Sequence, residues 1–315
     1  MSVTRTPAPD WTGRVDPEDG PEAIRLHQRV QPGAKRAVIG FACDAGVKRN
    51  KGRIGAKDGP AALRQALANL SAPVDAPPFS DLGDVTVEGD ALEAGQETLA
   101  NAIADALADH ERLLVMGGGH ETAFASYAGL RKAFPQARIG ILNLDAHLDL
   151  RLPGEAGGSS GTPFAQIRAL DPERFDYLCV GYAEEANTQA LMTRAQDWNV
   201  GLVSDHELIA DPHAAHAAIS DLMMRNDYLY LTIDIDVMSH FQAPGVSAPA
   251  ARGVPFATIE QIVSFVLTSL DGARTKLALA DLVELSPAHD RDGVTAKTAA
   301  VLARRVLMSA SDAPT

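Results

Sequence analysis

Eight short apolar runs alternate along this chain with stretches of helical period, and this alternation limits the possible architectures more than any other feature. The runs cover residues 37–42, 79–83, 112–116, 138–144, 177–181, 200–203, 228–233 and 276–283. Nearly continuous apolar strands, separated by helices rather than by tight turns, belong to a parallel sheet covered on both faces. The helical expectation is firmest where start signals and period agree. Pro255 at a first-turn position precedes Ile259, Ile262, Val263, Val266, Leu267 and Leu270; Asp58-Gly59-Pro60 precedes Leu63, Leu67 and Leu70; Leu92, Leu99, Ile103 and Leu107 mark a third helix. A chain of 315 residues that is 46% hydrophobic can bury one large core, so residues 31–315 are expected to form a single domain. Residues 1–30 are polar and rich in Pro and Asp, and are expected to be loosely held.

Composition then removes several functions. A formal net charge of −13 argues against nucleic acid or an acidic membrane surface as partner. The two cysteines, Cys43 and Cys179, end apolar runs and read as buried thiols, not as a disulfide framework or a thiolate zinc site. With no signal-like or membrane-spanning stretch in the sequence, a cytoplasmic location is expected.

Chemistry-bearing residues gather at the carboxyl ends of three apolar runs, where ligand sites of open α/β sheets lie. Gly117-Gly118-Gly119-His120-Glu121 follows the run ending at Met116, and its glycines permit a sharp turn that delivers His120 to the crevice. Asp145, His147 and Asp149 alternate after the run ending at Leu144; in an extended segment they would point to one side. Asp234 and Asp236 end the run through Ile233. Helix capping can explain a lone His, and a solvated surface can explain a lone Asp-x-Asp, but neither explains three alternating donors after a buried strand. The remaining histidines, among them His27, His110, His206, His213, His216, His240 and His289, lie in peripheral or polar stretches and carry no such pattern. Four carboxylates with two imidazoles and no thiolate suit oxygen-preferring ions, and manganese fits the mixed set. Six side chains are too many for one small cation that must keep a solvent position, so two ions are expected, sharing carboxylates and activating a water.

These residues carry a resemblance. Gly118-Gly119-His120, Asp145-Ala146-His147-Leu148-Asp149 and Ile233-Asp234-Ile235-Asp236 are similar to the three metal signatures of the ureohydrolase (arginase and agmatinase) superfamily. Val283-Glu284-Leu285-Ser286-Pro287 is similar to a fourth signature. The resemblance implies a three-layer αβα sandwich around an eight-stranded parallel sheet of the arginase-like type. It also implies two Mn2+ per chain held by His120, Asp145, His147, Asp149, Asp234 and Asp236, with Asp149 and Asp234 as bridges. Asp149 and Glu284 become the expected catalytic residues, Glu284 also contacting the substrate amidine.

Further segments resemble the formimidoylglutamase subfamily: the basic loop from Cys43 to Ala56, Arg151 after Asp149, and Ser159-Ser160-Gly161-Thr162-Pro163-Phe164. Arginases and agmatinases carry a catalytic histidine in the equivalent of that last stretch, and none is present here. Ser239 and the loop from Ala243 to Pro249 depart from those relatives in the same direction. The implied reaction is hydrolysis of N-formimidoyl-L-glutamate to L-glutamate and formamide, a step of histidine degradation. The expected partner is a small acidic amidine, bound by Arg49, Asn50, Arg53, Arg151, Ser160 and Glu284, and the expected assembly is a homo-oligomer. Two alternatives stay open here: a ureohydrolase acting on a guanidine such as agmatine or guanidinobutyrate, and a non-enzymatic metal-binding or regulatory protein on the same fold.

Overall fold

The computed structural model describes residues 2–309. All eight apolar runs form strands: β2 (Arg36–Ala42), β3 (Phe79–Glu88), β4 (Arg112–Met116), β5 (Ile139–Leu144), β6 (Asp176–Tyr182), β7 (Gly201–Ser204), β8 (Tyr228–Asp234) and β9 (Lys276–Val283). β3 continues past the expected end at residue 83 because buried Val85 and Val87 alternate there with the more polar Asp84, Thr86 and Glu88. An additional strand, β1 (Ser2–Thr6), makes the sheet nine-stranded among the described residues, in the order β1-β3-β2-β4-β9-β8-β5-β6-β7. Its pairing with β3 is antiparallel, and all the others are parallel.

The expectation of a loosely held segment covers residues 1–30; Met1 lies outside the described residues, and residues 2–30 are fastened to the domain. β1 pairs with β3 from Ser2↔Glu88 to Thr6↔Asp84. The Trp11 ring stands edge-on to Phe79 at 5.3 Å, and its indole N–H donates to Asp81 at 2.7 Å. Asp16, 4% exposed, accepts from Arg25 Nε at 2.8 Å. Polar composition misled because strand pairing uses backbone groups and a buried ion pair uses polar ones; neither needs an apolar run.

Ten α-helices cover the sheet among the described residues: α1 (Ala45–Arg49), α2 (Gly59–Ala68), α3 (Leu92–Asp109), α4 (Thr122–Ala133), α5 (Pro163–Leu170), α6 (Gln189–Asp197), α7 (Asp205–Ala210), α8 (His216–Arg225), α9 (Phe256–Ser269) and α10 (Val294–Met308). Successive strand residues point to opposite faces, so each central strand contributes to two cores. In β4, Leu114 and Met116 join α2, α8, α9 and α10 on one face, while Leu113 and Val115 join α3, α4, α5 and α6 on the other. Such strands are apolar throughout because both faces are buried. Among the described residues no helix is long and apolar enough to cross a membrane.

Candidate metal centre and active site

The strands β4, β9, β8 and β5 are consecutive neighbours in the sheet, and each ends in one of the chemistry-bearing segments. The glycine turn leaves β4, Glu284 follows β9, Asp234 ends β8 and Asp145 follows β5. This brings all six expected ligands together in two overlapping groups. His120, Asp145, Asp149 and Asp234 form one, and Asp145, His147 and Asp236 form the other. Nδ1 of His120 lies 3.1 Å from an oxygen of each of Asp145, Asp149 and Asp234. Nδ1 of His147 lies 3.1 Å from Asp236 and 3.5 Å from Asp145.

The local route to this convergence differs from simple strand alternation. Asp145 Oδ1 accepts the N–H of His147 at 2.6 Å, and Asp234 Oδ1 accepts the N–H of Asp236 at 2.9 Å. Each Asp therefore folds its own two-residue turn, a local bond that competes with extended backbone. Asp149 has φ 47° and Glu284 φ 67°, both in the left-handed region that non-glycine residues seldom occupy. His120 likewise sits in the turn before α4, not in the helix.

Buried partners brace these turns. Asn187 donates to the carbonyls of Ala146 and Ala183 and accepts the N–H of Leu148 at 2.9 Å. Tyr177 donates to the Leu148 carbonyl at 3.0 Å, and its ring stacks on Phe164, which stands edge-on to His120. The glycine turn is equally constrained: a Cβ on Gly118 would lie 1.7 Å from the Cys43 carbonyl oxygen.

The donor set fits divalent cations. Nε2 of His120 lies 3.1 Å from the Thr232 hydroxyl, which leaves Nδ1 free as the electron-pair donor, and Nδ1 makes no hydrogen bond although three carboxylates surround it. Oδ1 of Asp236 is also buried without a partner. Burial, with the neighbouring carboxylates, pushes Asp149, Asp234 and Asp236 above the usual carboxylate range. Burial opposes the charge of Asp145 too, but the neighbouring imidazoles of His120 and His147 hold it below that range. So many carboxylates in so small a buried volume are stable as anions only with cations among them.

A cavity of about 320 Å³ opens over this cluster, lined by His147, Asp149, Asp234, Asp236 and Glu284 below and by Asn50, Arg53, Arg151 and Ser160 above. A larger cavity, about 650 Å³, lies at the amino-terminal end of the sheet and touches none of the six. Glu284 anchors one oxygen on the His120 N–H at 2.9 Å, while the other is buried without a partner. Burial pushes its carboxyl up to about 7.

The three arginines expected at the substrate divide. Arg49 does not line this cavity; it binds Asp90, Glu93 and the Gly158 carbonyl, and its charge is neutralised there. The acids that claim it stand some forty residues on, in a segment whose proximity the sequence did not announce. Arg53 reaches the cavity but gives Nε and Nη2 to the carbonyls of Ser247 and Val246, so it braces two loops. Arg151 also lines it, and among the described residues no hydrogen bond or ion pair engages its guanidinium. Lys51, Asn187 and Ser247 line the cavity as well and were not anticipated. Lys51 alone had a signal, its place in the basic loop.

Residues 34–309 match the Arginase family. The chain belongs to the arginase family. Among its curated relatives are formimidoylglutamases from Klebsiella pneumoniae subsp. pneumoniae, 45% identical over 96% of each chain, and from Chromobacterium violaceum, 46% identical over 93% of this chain and 95% of the relative. A solved Trypanosoma cruzi formiminoglutamase with Mn2+ superimposes with a TM-score of 0.76 at 27% identity, covering 88% of this chain and 93% of that one. Formimidoylglutamase from Bacillus subtilis shares the fold, with a TM-score of 0.81 at 21% identity over 94% and 93% of the two chains.

Proposed function

We propose that this arginase-family chain is a two-manganese formimidoylglutamase, which hydrolyses N-formimidoyl-L-glutamate to L-glutamate and formamide in histidine degradation. The observation that carries the reading is the unengaged Arg151 guanidinium, in the same cavity as Glu284 and four of the six ligand-type residues, His147, Asp149, Asp234 and Asp236. The relatives named formimidoylglutamase support the same choice. His120, Asp145, His147, Asp149, Asp234 and Asp236 would hold the two ions. When bound, the ions supply Lewis acidity and a water acidic enough to act as nucleophile near neutral pH.

The protein's own groups do the rest. Arg151, aided by Lys51, Asn50 and Ser160, holds the substrate carboxylates at the upper wall of the cavity. Arg53 keeps the two loops above it in place. The unpartnered oxygen of Glu284 takes an amidine N–H and orients the amidine carbon. Water adds to that carbon, and the bond to the glutamate nitrogen breaks. The departing nitrogen needs a proton, which the Asp149 carboxyl passes to it from the attacking water. A cationic guanidine would set its second charge against Arg151 and Lys51, which disfavours agmatine-like substrates.

The test is Arg151→Ala beside Arg151→Lys. A bidentate guanidinium–carboxylate contact is worth about 1.5–3 kcal/mol, so Arg151→Ala is expected to lower kcat/KM for formimidoylglutamate by roughly 10- to 150-fold. Lysine lacks the fork and should restore only part of the loss. Bound manganese should be unchanged, and a neutral formamidine should be affected much less. Equal loss on both substrates would return Arg151 to a structural role.

A further inference from the structure

Glu121 completes the Gly-Gly-Gly-His-Glu segment, and nothing in the reaction above uses it. It is fully buried, and its carboxylate lies between two glycines that make room for it. A Cβ on Gly46 would stand 2.5 Å from the Glu121 carboxyl carbon, and one on Gly119 would stand 2.1 Å from Oε2. Oε1 accepts the Gly46 N–H at 2.8 Å, and the buried Cys43 thiol also interacts with the carboxyl group. The backbone carbonyl of Glu121 accepts from the buried Gln96 side chain at 2.9 Å, so the residue is held from behind. Burial pushes this carboxyl up to about 8, and an apolar side chain would fill the space at less cost.

What the carboxylate holds is α1. Gly46 lies in that five-residue helix, and the chain leaving it presents Asn50, Lys51, Gly52 and Arg53 to the cavity. Among the described residues one backbone–backbone hydrogen bond, Gly119 N–H to the Cys43 carbonyl at 3.0 Å, also joins the two segments. A helix so short is not stable by itself and takes its place from such ties.

We propose that Glu121 is a positioning residue for substrate recognition: its carboxylate locks α1 onto the turn that carries His120 and so sets where Asn50 and Arg53 stand over the metal ligands. The expected kinetic signature rests on the acidic-amidine reading above; the lock itself does not.

The experiment compares Glu121→Ala and Glu121→Gln in the manganese-loaded full chain, measuring bound manganese, backbone hydrogen exchange over residues 44–53, and kcat and KM on formimidoylglutamate and a neutral formamidine. Glu121→Ala should keep its manganese, exchange at least about tenfold faster over 46–53 than the wild type, and raise KM for formimidoylglutamate about tenfold with kcat within about twofold. KM for the neutral formamidine should hardly move. Glu121→Gln retains an acceptor oxygen for the Gly46 N–H and should restore both exchange and KM. Wild-type exchange and KM in Glu121→Ala would overturn the proposal. So would loss of manganese together with faster exchange throughout the chain, which would assign Glu121 to general stability. Should the wild type turn over no acidic amidine, the substrate reading fails while the exchange comparison still decides the lock.

Discussion

Asp234→Asn is expected to lose bound manganese and nearly all turnover while the fold persists. The substitution keeps the shape of the side chain, and an amide oxygen can still accept the Asp236 N–H that Oδ1 accepts now, so the turn after β8 has no reason to open. What disappears is one anionic oxygen donor from a site where Asp234 lies 3.1 Å from His120 and beside Asp145 and Asp236. Changing a residue that merely supports a metal ligand commonly costs 10- to 100-fold in affinity, and removing a ligand should cost at least about 100-fold. Metal analysis after equilibrium dialysis reads this directly, and far-ultraviolet circular dichroism should match the wild type. Asp145→Asn should behave alike. A variant that retains two ions at wild-type affinity would remove Asp234 from the ligand set.

Glu284→Gln is the second large effect, and it should separate catalysis from metal binding. The anchored oxygen that accepts the His120 N–H is reproduced by the glutamine carbonyl, so the glycine turn and the ligands should stay in place. The other oxygen becomes an NH2 group, and a site that offered a negative acceptor to a positively charged amidine now offers a donor. Removing one well-placed group that stabilises charge in the transition state costs about 10²–10³ in rate, and a fall of that size in kcat/KM is expected here at normal manganese content. Unchanged steady-state kinetics would make Glu284 structural.

Both variants act on residues the sequence made conspicuous, and the reason is physical. Metal ligands follow apolar strands, and carboxylates or imidazoles at the ends of buried runs stand out from composition alone. The parallel sheet was legible for the same reason, since burial on both faces leaves continuous apolar runs such as 112–116. Less legible was anything decided by contacts distant in sequence. Arg49 and Arg53 look alike in one basic loop, yet Asp90 and Glu93 claim the first and the carbonyls of Val246 and Ser247 engage the second. Asn187 secures the turn of Asp145 to Asp149 from a different loop, where nothing local marks it. Strand β1 was missed because Ser2 to Thr6 has no apolar run, and its place follows from backbone pairing with β3.

Substrate choice is read most directly from kcat/KM of the manganese-loaded wild-type protein on N-formimidoyl-L-glutamate, agmatine and L-arginine side by side. A single cation repelled or a single carboxylate gripped at Arg151 is worth about 1.5–3 kcal/mol, so formimidoylglutamate should be preferred over either guanidine by at least roughly tenfold. Formamide and glutamate should appear in equal amounts. A preference for agmatine or arginine, or release of urea in place of formamide, would contradict the account.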